Sequence, residues 1–373
     1  MFNMKFSSLL ATAVVAAGSL LSLTVSAADG KVKMGFIYVG PKDDYGYNQS
    51  HAEGCAAVQK LGWVSAVEEA SVPETTVVAE TMRDMIEQDD CTVLFPTSFG
   101  YFNPYILKMA KEYPKVQFFH CGGMWHEGLP DNVGSYFGYI DEAEYICGIV
   151  AAETSKTKKI GFIAAKPIPQ VLRNINSYTL GARSVVPDAT VQVVFTGDWS
   201  LPVKEAEAAN SLVDQGCDVL TCHVDSPKVI MITAAKRGVM CTGYHADQSA
   251  LNPKGYLTGA EWNWSKIYSD YAQWIHDGKS LMAGTIPHLI RGGLKEGFCK
   301  VSPYGPMVSD KTKADADAAK AKFMDGTMVI YKGPITDNTG KIVIPAGTEE
   351  KQQDINLETM NYLVAGVIGK TGN

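Results

Sequence analysis

Tyr47 and Asn48 follow the first apolar segment of the chain, and their side chains could hold a flat ring. An aromatic side chain can stack on a heterocycle, and an amide can both donate and accept hydrogen bonds at the edge of the ring. We therefore interpret both residues as candidate ligand contacts. For Asn48 a structural role is the alternative, because an amide at a helix entrance can also cap the helix.

Similar side chains follow several other apolar segments, and we interpret them as further ligand contacts. These candidates are Ser98, Phe99, Trp125, Trp199, Asp225, His245 and Trp262. Tryptophan is costly to leave exposed, so a cleft or the core must hold Trp199 and Trp262. The Asp225 carboxylate could accept from ring N–H or exocyclic amine groups, or it could cap a helix that begins near Pro227.

The sequence offers little support for catalysis or for a bound metal. GxSxG, HExxH and phosphate-loop motifs are absent. No CxxC pair or His–Cys set has the spacing of metal ligands, so we expect neither a metal nor another cofactor. Asp225, Ser226 and His245 could be imagined as a triad, but the strand order provides no nucleophile elbow. We predict a binding protein rather than an enzyme.

The candidate residues must be positioned by strands that alternate with helices. Apolar segments that fit strands are 33–39, 63–70, 92–96, 116–121, 134–138, 160–164, 190–195, 218–223, 239–244 and 256–259. Helical patterns separate most of them, which predicts an α/β protein with parallel strands joined by right-handed crossovers. Ligands bind beyond the carboxyl ends of such strands, and each candidate above follows a predicted strand.

One half of this pattern repeats the other at a fixed offset. Residues 34–37 correspond to 160–163, and residues 85–94 correspond to 211–220, in both cases 126 positions later. We infer two similar lobes with a cleft between them, where small ligands commonly bind. Chance similarity between apolar strand patterns is the alternative.

The domain organisation follows from the repeat and from the N-terminal segment. Residues 1–27 have the charged start, apolar run and small-residue ending of a cleavable secretory signal peptide. A membrane anchor is the alternative, but the apolar run is short for a spanning helix. We expect the first part of lobe 1 in 28–145, lobe 2 in 146–264, and in 265–373 a return helix and short β segments that complete lobe 1.

Charge and cysteine content restrict the partners and the chemistry. The chain has 33 basic and 40 acidic residues and a net charge of −7, without a basic block, which disfavours nucleic-acid binding. The eight cysteines are even in number, which permits disulfides in an exported protein. Because most of them lie within apolar strand or helix patterns, we predict mostly free, buried thiols, with one or two bridges allowed.

Several motifs together resemble the basic-membrane-protein family of ABC-transporter substrate-binding proteins. They are DYGYNQ at 44–49, EG at 53–54, FG at 99–100 and HADQ at 245–248, with GPITDN at 333–338 and MNYLVAGV at 360–367 similar to a proteobacterial branch. The resemblance implies a type I periplasmic binding fold, in which two lobes of mostly parallel sheet flanked by helices are joined by three crossovers. It also implies a membrane permease powered by an ATPase as partner.

The best-known members of that family are purine nucleoside receptors, and this chain departs from them. Tyr47 stands where the family places a stacking aromatic residue, and Asn48 where it places an amide that contacts the base. His245, however, replaces an aspartate expected to hold ribose hydroxyls, and Trp262 or a neighbour replaces a ribose-binding lysine. An aspartate often found near Cys121 is also missing. Without these groups, discrimination in favour of a sugar is lost.

We therefore expect a monomeric periplasmic receptor that closes two lobes over an adenine-like nucleobase or a similar flat heterocycle. A purine nucleoside receptor is the alternative within the same class. A ligand-sensing subunit of a signalling system is the alternative from another class. Closure is expected as a hinge motion at the crossovers, driven by ligand contacts on both lobes.

Overall fold

The computed structural model describes residues 31–371 and folds them into two α/β lobes. The strands are β1 (Val32–Ile37), β2 (Val64–Glu69), β3 (Val93–Pro96), β4 (Gln117–Cys121), β5 (Val133–Gly138), β6 (Lys159–Ala164), β7 (Thr190–Phe195), β8 (Val219–His223), β9 (Met240–His245), β10 (Tyr256–Trp262), β11 (Leu289–Gly292), β12 (Cys299–Val301), β13 (Tyr331–Lys332), β14 (Ile335–Thr336), β15 (Ile342–Ile344), β16 (Glu349–Glu350) and β17 (Val367–Ile368). The helices are α1 (Tyr47–Val58), α2 (Thr76–Glu87), α3 (Leu107–Glu112), α4 (Asp141–Thr154), α5 (Pro169–Val185), α6 (Pro202–Asp214), α7 (Lys228–Arg237), α8 (Trp264–His276), α9 (Asp310–Asp325) and α10 (Ile355–Glu358). The predicted leader, residues 1–27, lies outside the described residues.

The two lobes contain sheets of matching topology. Lobe 1 has the strand order β11-β5-β4-β3-β1-β2, and lobe 2 has β12-β10-β9-β8-β6-β7-β17. All pairings within these two sheets are parallel except that of β12 with β10. Met34 pairs with Val93 in lobe 1, and Ile160 pairs with Val219 in lobe 2. The residues paired in lobe 2 thus lie 126 positions after those paired in lobe 1, so the two sheets have the same strand register. The prediction of two similar lobes is confirmed.

A glycine in the first strand of each lobe explains part of the repeated sequence. A Cβ atom on Gly35 would lie 2.5 Å from a Leu94 methyl carbon, and one on Gly161 would lie 2.8 Å from a Leu220 methyl carbon. The absent side chain lets the leucine of the neighbouring strand pack over the sheet. The repeat therefore preserves a packing requirement.

The chain passes between the lobes three times, as the family resemblance implied. It leaves lobe 1 after β5, returns after β10, and enters lobe 2 again between β11 and β12. The returning helix α8 packs beside α1 in lobe 1 and buries Trp264, Tyr268 and Tyr271. Because the three passages are adjacent, they can act together as a hinge.

The prediction that the tail completes lobe 1 with short β segments was wrong in large part. Only β11 extends the lobe 1 sheet, whereas β12 and β17 join the lobe 2 sheet and the long helix α9 packs against α4. Ser309 caps α9 and Gly326 ends it in a left-handed conformation. Its buried stripe consists of Thr312, Ala316, Ala319 and Phe323. Three of these four side chains are small, so the apolar periodicity is weak.

All eight cysteines are buried and have free thiols. This agrees with the prediction of mostly free, buried thiols, and the one or two disulfides that the prediction allowed are not formed. Burial raises the pKa of the Cys91 and Cys121 thiols to about 12, which makes them poor nucleophiles at neutral pH.

Within residues 31–371, none of the helices combines the length and the apolar character that crossing a membrane requires.

Candidate ligand-binding site

A cavity lies between the lobes, at the carboxyl ends of the strands of both main sheets. It is lined by Tyr47, Ser98, Phe99, Cys121, Gly122, Phe137, Gln170, Trp199, His223, Asp225, His245 and Trp262. Its free volume of about 50 Å³ is room for a few water molecules. The structure thus brings together seven of the nine predicted site residues, leaving out Asn48 and Trp125.

Tyr47 forms part of the lobe 1 wall, and its orientation is fixed at both ends. Its hydroxyl donates to the Thr97 carbonyl oxygen at 2.6 Å. Its ring meets the imidazoles of His51 and His245 edge to face, with centroids 4.6 and 5.4 Å away. The Asp44 carboxylate caps the helix that carries Tyr47 by accepting backbone N–H groups at 2.8 to 3.0 Å. The ring is therefore preorganised for stacking.

Asn48 and Trp125 lie away from the cavity, and each has another partner. The Asn48 side chain accepts from the Gly40 N–H at 3.0 Å and donates to Asp44 at 2.8 Å, so both ends of its amide are used within lobe 1. Trp125 stacks on His288 with centroids 4.9 Å apart. The structure therefore supports neither residue as a direct ligand contact.

Trp199 and Asp225 form the lobe 2 wall. The Asp225 N–H donates to the Trp199 carbonyl oxygen at 2.8 Å, which ties the two loops together. The Lys166 ammonium lies over the Trp199 ring, 5.4 Å from its centroid. The helix after Asp225 has Pro227 at its N-cap without a side-chain cap, so the alternative capping role of Asp225 is not realised.

The Asp225 carboxyl group lines the cavity in the neighbourhood of other acidic side chains. Desolvation by burial, followed by the negative charges of Asp44 and Glu74, raises its pKa well above the usual value. Such a group can accept a hydrogen bond from a ligand when ionised and can donate one when protonated. Asp225 thus supplies the carboxyl group of the cavity lining.

Two aromatic residues from adjacent strand ends complete the lobe 2 side. The Trp262 indole N–H donates to Nδ1 of His245 at 2.9 Å, and the Trp262 ring stacks on Trp264 with centroids 4.5 Å apart. His245 has a φ of 75°, which is uncommon for a residue other than glycine. Backbone strain of this kind clusters at functional sites.

The lobes touch at the mouth of the cavity, so the structure shows a closed arrangement. Three hydrogen bonds cross the boundary here: Tyr47 N–H to the Asp225 carbonyl (2.9 Å), Ser226 hydroxyl to the Asp44 carbonyl (2.7 Å) and the Gln248 amide to the Tyr45 carbonyl (2.6 Å). Because the Ser226 hydroxyl is engaged in this contact, Ser226 does not form a nucleophile–base pair with His245.

A second link between the lobes lies outside the cavity. Glu358, in the C-terminal tail, accepts hydrogen bonds from Arg173 of lobe 2 at 3.2 Å and from Arg291 of lobe 1 at 3.0 Å. Arg173 is buried and also pairs with Asp141 at 2.9 Å. The tail carboxylate therefore bridges two guanidinium groups that belong to different lobes.

Five lining residues were not among the predicted contacts: Cys121, Gly122, Phe137, Gln170 and His223. Gln170 is the second residue of the helix after the first strand of lobe 2, and Tyr47 begins the corresponding helix of lobe 1, so the rule that ligands bind beyond strand ends could have indicated it. His223 ends β8, and burial lowers its pKa to about 3, so it is a neutral hydrogen-bonding group at pH 7.

The chemistry of the cavity is stacking and hydrogen bonding. Its walls combine aromatic rings with neutral imidazoles and one carboxyl group. Among residues 31–371, no cluster of three or more His, Cys, Asp or Glu side chains could hold a metal ion.

Comparison with known proteins assigns the family. A profile described as ABC transporter substrate-binding protein, PnrA-like, matches residues 31–334. The chain belongs to this family. A purine-binding protein of Brucella abortus is 36% identical to this binding protein over 346 residues, covering 92% of this chain and 95% of the relative. A putative ABC-transporter glucose-binding protein of Haloferax volcanii is 30% identical over 341 residues, covering 91% and 81%.

Solved structures show the same fold at lower identity. An ABC-transporter solute-binding protein from Conexibacter woesei superposes with a TM-score of 0.66 at 23% identity, covering 80% of this binding protein and 97% of that chain. A solute-binding protein from Aeropyrum pernix gives 0.65 at 20% identity, covering 82% and 93%. The predicted family and fold class are confirmed. Family members bind small ligands and interact with a membrane permease, typically outside the cytoplasm.

Proposed function

We propose that this protein binds a purine nucleobase, adenine-like, or a flat heterocycle of the same shape, in the cavity between its lobes. The observation that carries the proposal is the composition of the walls, in which Tyr47, Trp199 and Trp262 face one enclosed space together with Phe99 and Phe137. Aromatic side chains stack strongly on any nucleobase, because every base has a π-face. The B. abortus purine-binding relative supports the same ligand class.

A sugar or a nucleoside is the second candidate, because one relative is named as a putative glucose-binding protein. Recognition of several hydroxyl groups requires several paired polar groups in the site. Here the polar side chains of the lining are Ser98, Gln170, Asp225 and two histidines, and the Ser98 hydroxyl already donates to Glu74 at 2.5 Å. This distribution favours a planar ligand with few hydroxyl groups.

The complete proposal places the protein in the periplasm after removal of residues 1–27. There a monomer delivers its ligand to an ABC permease, without a cofactor, enzymatic turnover or nucleic-acid partner. A sensing role is distinguished from transport by uptake of radiolabelled adenine in cells. Deletion of the gene should reduce uptake if the protein serves transport, and should leave uptake intact if it serves only a signalling partner.

The ligand is tested by calorimetric titration and by native mass spectrometry of freshly purified protein. Adenine, guanine and hypoxanthine should bind more tightly than their ribosides and than glucose. A bound mass equal to that of a purine base would support the proposal directly. Tighter binding of a riboside or of glucose would overturn the choice of ligand.

A tryptophan substitution tests the geometry of the site. Trp199→Ala should weaken purine binding by about 1–3 kcal/mol, the usual contribution of one stacked aromatic residue. Trp63→Ala is the matched control, because Trp63 is also half-buried but packs against His276, away from the cavity. Equal affinities for the two variants would contradict the proposed stacking.

A further inference from the structure

Trp262 and His245 form a hydrogen-bonded pair whose chemistry determines which atom the imidazole can offer to a ligand. We infer that Trp262 holds His245 in the tautomer that carries its proton on Nε2, so that His245 acts as a hydrogen-bond donor for the ligand. This inference rests on the proposed function and makes it more specific. It makes Trp262 a positioning residue as well as part of the wall.

The tautomer follows from which nitrogen atoms of the two side chains can donate and which can accept a hydrogen bond. An indole nitrogen can only donate, and the Trp262 Nε1 lies 2.9 Å from Nδ1 of His245. Nδ1 must therefore accept and cannot carry a proton. A neutral imidazole has one N–H, which is then on Nε2.

His245 is held in the neutral form by its surroundings. Burial lowers its pKa well below the usual value, and the imidazoles of His223 and His51 lower it further. The Val224 carbonyl acts in the opposite direction and is the smallest of these influences. An imidazolium would also have to place a proton on Nδ1, against the indole N–H.

Within residues 31–371, the buried Nε2 donor makes no hydrogen bond of normal geometry. The Val224 carbonyl is the protein acceptor near the ring, and it raises the pKa of His245 without being placed for a full hydrogen bond. A buried N–H without an acceptor is unfavourable, and such groups in native proteins call for an explanation. Because the His245 side chain lines the cavity, a ligand acceptor atom would provide the missing partner.

The orientation of the pair is set by rigid neighbours. Trp262 stacks on Trp264, with centroids 4.5 Å apart, and packs against the tilted ring of Phe137, with centroids 5.2 Å apart. His245 packs on Tyr244 and Tyr47. Neither ring can turn without displacing an aromatic partner, so the donor is presented in one direction.

This arrangement narrows the ligand class. A ligand should present an unprotonated ring nitrogen or a carbonyl oxygen to His245 and an N–H or amine group to Asp225. Purine bases carry both kinds of group on one flat ring system. Each replacement of an acceptor nitrogen by C–H removes one possible partner for His245.

The pair is tested first in the ligand-free protein. Long-range ¹H–¹⁵N NMR correlations of the histidine rings distinguish the two tautomers and the imidazolium. For wild-type His245 we expect an unprotonated Nδ1 and a protonated Nε2 at pH 7. An Nδ1–H tautomer or an imidazolium would overturn the inference, and this measurement requires no variant to fold.

Trp262→Phe, with Trp264→Phe as matched control, tests the role of the indole N–H. The Trp264 Nε1 is buried without a hydrogen-bond partner in the described part of the chain, so its removal breaks no such bond in the stacked pair. Trp262→Phe should shift the His245 tautomer and weaken adenine binding about fivefold to tenfold, the effect of one hydrogen bond. Trp264→Phe should keep the tautomer. An unchanged tautomer and affinity in Trp262→Phe would refute the positioning role.

The two proposals fail in distinguishable ways. If wild-type His245 has the Nε2–H tautomer and Trp262→Phe shifts it, but no purine binds, then the proposed ligand is wrong and the pairing stands. If adenine binds tightly and wild-type His245 carries its proton on Nδ1, then the pairing is wrong and the proposed function stands.

Discussion

Gly46 lies where the two lobes meet, and its substitution provides a direct test of closure. A Cβ atom at this position would lie 2.0 Å from the Asp225 carbonyl oxygen and 2.6 Å from Cδ of Pro227. Ordinary contacts of a Cβ atom begin at about 3.4 Å. Gly46→Ala therefore requires the lobes to separate locally by more than 1 Å, whereas in an open arrangement the lobe 2 atoms are no longer close.

The expected loss of ligand affinity follows from the hydrogen bonds that are broken when the lobes separate. Three interlobe hydrogen bonds surround Gly46, with lengths of 2.9, 2.7 and 2.6 Å. Each contributes about 0.5–1.5 kcal/mol net, so their loss costs about 1.5–4.5 kcal/mol. Because 1.4 kcal/mol corresponds to a tenfold change, ligand affinity should fall between about tenfold and 1,000-fold.

The assay is calorimetric titration with the tightest-binding purine, combined with small-angle X-ray scattering. Gly46→Ala should bind weakly and remain in a more extended form when the purine is added. Gly62→Ala is the matched control, because no heavy atom of residues 31–371 lies within 4 Å of the added methyl group. A Gly46→Ala protein that binds and compacts like wild type would refute the reasoning that closure through this contact drives affinity.

Three further predictions concern the tail, the hinge and the thiols. Glu358→Gln removes the charge between Arg173 and Arg291 and should weaken ligand affinity about threefold to tenfold by calorimetry; unchanged affinity would show that the bridge is not coupled to closure. Glu142, in the first turn of α4, accepts a hydrogen bond at 2.8 Å from the Leu294 N–H, which lies on the passage between β11 and β12. Desolvation by burial raises its pKa from 4.5 to about 7, so the folded state holds this proton more tightly than the unfolded state. The free energy of unfolding therefore falls as pH rises from about 4.5 through about 7. In Glu142→Gln, scanning calorimetry at pH 5 and pH 8 should show a smaller loss of Tm at pH 8 than in wild type; an equal loss would exclude Glu142 as the source. Thiol titration without reductant should detect almost no reactive cysteine in the native protein and eight after unfolding; fewer than eight would indicate a disulfide.

The main sheets could be predicted because their strands are continuous apolar runs buried on both faces. β3 and β8 are buried at every position, and they occupy the same place in the two halves of the repeat. The tail could not be predicted in the same way. Its strands are two to four residues long, and those that join the main sheets have partners far away in sequence, such as β7 for β17.

The site was predictable to the extent that it depends on topology. Strand ends converge in parallel sheets, and this rule places Trp199, Asp225 and His245 around one cavity. It does not determine how a loop continues. Gly122 and Gly123 have φ angles of 155° and 65°, and beyond this turn Trp125 packs on His288. Asn48 was equally ambiguous, since only the fold shows that Asp44 and Gly40 use its amide.

The position of β17 at the outer edge of lobe 2 has a consequence for the order in which the protein can form. Val367 pairs with Val191, so this edge of the sheet cannot form until the chain has been synthesised through residue 367, 176 positions beyond its partner. β12 and α9, which also belong to lobe 2, arrive late for the same reason. The complete lobe 2 sheet therefore depends on pairing between segments that are distant in sequence, which forms slowly and leaves the lobe partly folded in the meantime.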